Sequence, residues 1–284
     1  MVLVRTLRMA VVLGLGVLAF FQRRIMYPAT QAERLPVAAF PETARQFSEA
    51  ADLRLRTADG AVIGAWHLRS RSGRNSRLML LVHCNAGHRA WRTGWYRLAA
   101  GFQCDVLAID YHGYGESEGS PTEQHLINDA QAAWQHATGA LGYRPEQSVI
   151  TGESLGGGVA VRLAADVCRG GQKPHGLLLV ATFDSMLNAA GFHFPWLPVG
   201  RLLVDRFHSD QQIADVTCRI VQYHGDQDTV VPLPLGQQLH QRAPAVSVDG
   251  VPRQFRLLPG SGHNGLLQQH AVTFRRELRD LFSE

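Results

Sequence analysis

The pentapeptide Gly152-Glu153-Ser154-Leu155-Gly156 lies between an apolar, β-branched run and a run rich in small residues. Strand, tight turn and helix in that order give a Gly-x-Ser-x-Gly pattern its meaning. A side chain at either glycine would collide with neighbouring elements, and the serine is held clear of the sheet at the positive end of a helix. A serine hydroxyl is a weak nucleophile near neutral pH. It needs a base to take its proton, and the base needs a carboxylate to fix its tautomer and stabilise the imidazolium. Of the 13 histidines, only His263 stands in a loop built of Gly, Ser and Asn between the last strand pattern and the last helix pattern. His263 is the expected base. Downstream of another strand, Gly225-Asp226-Gln227-Asp228 offers two carboxylates. Asp228 is the expected acid, completing the chain order Ser, Asp, His; Asp226 is expected to hold the turn through backbone amides. Acyl transfer also requires donors aimed at an oxyanion. The N–H of Leu155 is one, and the loop His83-Cys84-Asn85-Ala86-Gly87-His88 should give the other, with Asn85 the first candidate and Ala86 the second.

The elements that must position these groups follow from periodicity. From about Glu49 onward, short apolar runs alternate with longer helical patterns, the βα signature of an α/β fold with a mostly parallel sheet and helices on both faces. Leu53 to Thr57 and Val62 to Leu68, joined around Asp59-Gly60, read as an antiparallel hairpin at the start. Arg77 to His83, Asp105 to Asp110, Ser148 to Gly152, Gly176 to Ala181, Ile220 to His224 and Gln254 to Leu258 read as further strands. Helices are expected near Trp91 to Ala100, over Gln124 to Leu141, Leu155 to Arg169 and Pro234 to Arg242, and as one closing helix over Leu266 to Phe282. Residues 182–217 are too long for a simple crossover and read as a small cap, broken by Pro195 and Pro198. Its apolar residues suit a lid over an acyl pocket, or equally the packing faces of two short helices.

Composition narrows the functions. The chain has 284 residues, 45% hydrophobic and 18% charged, which excludes a disordered tail and a disulfide mini-scaffold. Four of the positive charges behind the net +4 lie at Arg5, Arg8, Arg23 and Arg24, so the body is nearly neutral and no basic stripe points to nucleic acid. Cys84, Cys104, Cys168 and Cys218 are widely spaced, with no zinc-ligand pattern and no required disulfide. No dinucleotide or phosphate loop appears, and a Ser/His/Asp mechanism needs no cofactor and no metal. Met9 to Phe21 is uncharged and bracketed by arginine pairs. It reads as a single N-terminal membrane anchor over residues 1–24, ahead of one domain over residues 25–284. It is short against the roughly 20 residues a span needs, and a signal peptide cleaved after Ala19 and a buried or docking N-terminal helix are the alternatives.

Taken together, the Arg23-Arg24-Ile25-Met26-Tyr27-Pro28 entry, the His83 loop, Asp110 to Pro121, the Ser154 turn, Ala181 to Ser185, the Asp228 loop and His263 resemble membrane-anchored α/β-hydrolase-domain (ABHD-like) serine hydrolases. That family includes lipid hydrolases and protein depalmitoylases. The resemblance implies the α/β-hydrolase fold, an ester or thioester substrate with an apolar or lipid acyl group, and independently favours Asp228 as the acid. Two residues depart from the family's usual pattern: Cys84 stands where glycine is usual, and His112 where arginine is usual. The first bears on the oxyanion loop and the width of the acyl site. A serine aminopeptidase and a non-catalytic binding module share the fold and are the competing functions. The peptidase would need an anchor for a peptide amine that this sequence does not display.

Overall fold

Eight strands build one sheet in the order β1-β2-β4-β3-β5-β6-β7-β8 in a computed structural model that describes Gly14, Gly16, residues 19–71 and residues 77–282. β1 (Glu49–Arg56) and β2 (Val62–Arg69) form the expected hairpin, in register from Glu49 with Arg69 to Arg56 with Val62. Its turn uses Gly60 at φ +91°, a value that disfavours any residue with a Cβ. β1 begins earlier than its apolar residues suggest, because backbone pairing alone extends this edge strand. β2 pairs antiparallel with β4 (Asp105–Ile109). From there β3 (Leu78–Val82), β5 (Ser148–Glu153), β6 (Gly176–Val180), β7 (Arg219–Gly225) and β8 (Gln254–Leu258) are all parallel.

β3 shows why this sheet must be covered on both sides. Leu78, Leu80 and Val82 pack with Leu126 and Ala130 of the helix Glu123–Thr138 and with Val159 and Leu163 of the helix Leu155–Arg169. Met79 and Leu81 point the other way, into a second core with Trp95, Tyr96, Leu266 and Phe274. The period-two alternation of a strand thus divides one apolar run between two cores.

One segment differs from the sequence expectation. The closing helix is three pieces, Leu266–Gln269, Ala271–Glu277 and Arg279–Phe282. His270 leaves helical geometry at φ −116° and ψ 28° and its ring meets the Ser261 hydroxyl, a polar contact that an unbroken helix would forgo. The cap segment, expected to be broken by its prolines, holds the short helices Met186–His193, Val199–Leu202 and Ser209–Gln212. The first stops as Phe194 adopts φ −128°, consistent with the clash that a following proline imposes on helical backbone.

Residues 19–26 are helical and dock against the cap. Gln22 donates to the Leu202 carbonyl (3.1 Å) and accepts from the Val204 N–H (2.9 Å). Arg23 grips Asp205 with two bonds of 2.9 and 3.0 Å, and the buried Tyr27 hydroxyl donates to the same carboxylate at 3.0 Å. This helix runs across the boundary expected at Arg24. Most of the Met9 to Phe21 run lies outside the described residues; among the described ones no helix is long and apolar enough to cross a membrane.

Candidate active site

Parallel strands bring their carboxyl ends to one edge of the sheet, and the expected groups gather there from β3, β5, β7 and β8. Ser154 follows β5 at φ +55° and ψ −117°, a conformation that costs a non-glycine residue on the order of 1–3 kcal/mol. The surroundings enforce it. Its N–H donates to Val180 O (2.9 Å), and its own carbonyl accepts from Thr182 Oγ1 (2.8 Å) and the Gly157 N–H (2.9 Å). The flanking glycines answer to space: a Cβ on Gly152 would lie 2.4 Å from Gly156 O, and one on Gly156 2.3 Å from Val82 O.

His263 reaches Ser154 Oγ with Nε2 at 3.0 Å and Asp228 Oδ2 with Nδ1 at 2.8 Å. A carboxylate oxygen accepts, so in this arrangement Nδ1 donates to Asp228 and Nε2 is left to accept from the serine hydroxyl. Asp228 is itself oriented by the N–H groups of Val230 (2.9 Å) and Val231 (2.8 Å), both on Oδ1. A residue that sequence reasoning passed over, His224, sits with Nε2 3.5 Å from Asp228 Oδ2 and bonds to Val231 O at 2.8 Å. Burial holds its imidazole below the ordinary pKa, so it stays neutral. Asp226 is exposed and accepts from the Gly260 N–H at 2.7 Å, while Gln227 N donates to Ser261 O at 2.9 Å. The two bonds lash the Asp228 loop to the loop that carries His263.

The β3 loop is braced from below. Tyr111 and Tyr114 donate their hydroxyls to the carbonyls of His83 (2.8 Å) and Asn85 (2.9 Å). The Cys84 thiol faces Arg92, whose guanidinium donates to Sγ (3.1 Å) and to Ala86 O (3.1 Å), so its side chain is absorbed within the loop. Beneath lies Asp110, fully buried. Burial alone would raise its pKa, but the adjacent His83 ring and the Arg89 guanidinium hold it below the usual carboxylate range.

A model of the alpha/beta hydrolase family matches residues 79–215, a span that contains the Ser154 turn. An uncharacterized protein of Mycobacterium tuberculosis is 33% identical over 252 residues, covering 88% of this chain and 84% of the relative. The chain belongs to the alpha/beta hydrolase family. The lysophosphatidylserine lipase ABHD12 of Danio rerio is 30% identical over 234 residues, 71% of this chain and 61% of that protein. Among solved structures, a Pyrococcus furiosus esterase superposes with a TM-score of 0.68 at 18% identity, over 89% of this chain and 96% of that one; the likeness is one of fold.

In this hydrolase Ser154 opens into a cavity of about 430 Å³, lined by Asn85 and Leu155 at its floor and by Phe183, Met186, Leu197 and Leu202 of the cap segment. None of the described lining residues is acidic. Gln22, Ile25 and Met26 of the N-terminal helix complete the wall, and Asn85 Nδ2 reaches Met26 O at 3.4 Å. The sequence assigned Gln22 to the anchor and Ile25 and Met26 to the domain, whereas one helix carries all three to the cavity.

Proposed function

We propose that this protein is a serine hydrolase of carboxylic esters or thioesters with apolar acyl groups, acting through Ser154, His263 and Asp228. The observation that carries this reading is the hydrogen-bonded line from Asp228 through His263 to Ser154 at the floor of an apolar cavity. Ser154 Oγ attacks the acyl carbonyl as His263 Nε2 takes its proton, and the oxyanion is held by the N–H groups of Leu155 and Asn85. The intermediate collapses as the leaving alcohol or thiol takes that proton from His263, leaving an ester on Ser154. Water, deprotonated by the same nitrogen, then attacks this ester and releases the acid and the free serine.

Cap residues and the N-terminal helix act as a lid. Ile25, Phe194 and Val230 line the cavity yet remain 64%, 44% and 49% exposed, an apolar rim suited to a substrate held at a bilayer surface. With the Met9 to Phe21 run as tether, the protein would meet such substrates at the membrane, and the name of the Danio rerio relative is in keeping with a single-chain lipid. A fluorophosphonate probe should label Ser154, and Ser154→Ala should lower ester kcat by about six orders of magnitude. Across p-nitrophenyl esters, kcat/KM should rise from acetate to medium and long chains, since each buried methylene contributes about 0.8 kcal/mol. Turnover retained in Ser154→Ala would refute the assignment, and a strict preference for acetate would refute the acyl pocket.

A further inference from the structure

We propose that Asp59, His112 and His125 form a binding site for a divalent transition ion, Zn²⁺ by their donor set, separate from the Ser154 centre. The three residues come from three elements: the β1–β2 turn, the loop after β4, and the first turn of the helix Glu123–Thr138. Asp59 Oδ2 lies 3.2 Å from His112 Nε2 and 3.6 Å from His125 Nε2, and the three ligand atoms all fall within 4.8 Å of one another. Tetrahedral coordination with bonds of about 2.0–2.1 Å separates neighbouring donors by roughly 3.3 Å, close to both oxygen–nitrogen spacings.

Both rings have their other nitrogen committed. His125 Nδ1 bonds to the Ser120 carbonyl at 2.7 Å. A carbonyl can only accept, so Nδ1 donates and Nε2 is the nitrogen turned toward the Asp59 carboxylate. His112 Nδ1 bonds to Asp129 Oδ1 at 2.6 Å, and Asp129 Oδ2 accepts the His112 backbone N–H at 2.8 Å. A carboxylate or carbonyl behind each imidazole is the outer shell that metal-ligating histidines characteristically have. His112 is 1% exposed, yet its Nε2 has no hydrogen-bond partner of acceptable geometry. The two rings stack with centroids 4.5 Å apart at 24°, so their in-plane Nε2 lone pairs run nearly parallel and the partly exposed His125 ring must turn out of the stack for both to meet one ion. An ion held there would give the buried His112 Nε2 the partner it lacks.

Two imidazoles and one carboxylate suit Zn²⁺ rather than Mg²⁺ or Ca²⁺, which take oxygen ligands. Asp59 and His125 side chains are 36% and 35% exposed, so the open side faces solvent and water can supply a fourth ligand. The ion would tie the hairpin turn to the loop whose Tyr111 and Tyr114 brace the carbonyls of His83 and Asn85. The role is structural and does not depend on the proposed reaction.

The full-length protein, stripped with a chelator, is titrated with ZnCl₂ by calorimetry and with CoCl₂ by visible absorption. One Zn²⁺ per chain, a Zn²⁺-dependent rise in melting temperature, and a four-coordinate Co²⁺ spectrum without a thiolate charge-transfer band are expected. Asp59→Asn and His125→Gln, both at partly exposed positions, should each weaken Zn²⁺ binding by tenfold or more while the metal-free melting temperature stays put. Asp129→Asn should weaken it about 10- to 100-fold through the outer shell. Three outcomes would overturn the site: no Zn²⁺ binding by the wild type, equal binding by the Asp59 and His125 variants, or a thiolate band. The first would leave a hydrogen-bonded histidine pair only; the others would place the ion elsewhere. The Co²⁺ spectrum of the wild type decides even if a variant fails to fold.

Discussion

The two carboxylates of the β7 loop separate an orienting role from a tethering one. In Asp228→Asn, the amide nitrogen must face either the His263 Nδ1–H at the 2.8 Å position or the Val230 and Val231 N–H groups, and donor then meets donor. Relief comes if His263 moves its proton to Nε2, where it points at Ser154 and the base is lost. The expected fall in kcat is about 10⁴, or roughly 5 kcal/mol of transition-state stabilisation. In Asp226→Asn, the side-chain carbonyl still accepts from Gly260 N, so only the charge assistance of one exposed bond is lost, about 1 kcal/mol of stability. Initial rates with p-nitrophenyl butyrate, measured beside thermal melts of both variants, give the comparison. Equal losses of turnover in two equally stable variants, or a near-normal rate in Asp228→Asn, would refute the assignment of these roles.

Three further outcomes follow from the packing. Deleting residues 1–24 removes Gln22 and Arg23 from the cap, so KM for long-chain esters should rise several-fold while acetate turnover persists; unchanged long-chain KM would mean that the helix does not shape the pocket. Arg89→Met leaves Asp110 and Glu116 without their shared buried cation and should cost about 3–5 kcal/mol in urea unfolding, whereas an unchanged midpoint would mean His83 suffices for Asp110. His175 and His240 are held by burial at pKa values of about 4, so the unfolded chain binds the extra protons. Their contribution is complete above about pH 6.5 and is lost as pH falls toward 4; the urea midpoint should drop from pH 7.5 to 5, and less steeply in the His175→Gln/His240→Gln double variant.

Legibility tracked how local each cause was. β3, β5 and β6 were readable because a strand buried on both faces must be apolar throughout, and the Ser154 turn because its glycines answer to steric needs within a few residues. The closing helix was misread as continuous because its break at His270 depends on a contact with Ser261, which sequence periodicity does not register.

By itself the sequence determined the order of elements, the strand-turn-helix around Ser154, and a short set of partners, His263 and Asp228, because these rest on backbone sterics, hydrophobic periodicity and the limited chemistry of side chains. Tertiary structure alone decided the rest. It decided that Asp226 reaches across to Gly260, that residues 19–26 wall the cavity through Arg23 and Asp205, and that Asp59, His112 and His125 converge from distant parts of the chain. Each of these is a distance between groups far apart in sequence, set by how whole elements pack, and no local pattern encodes it.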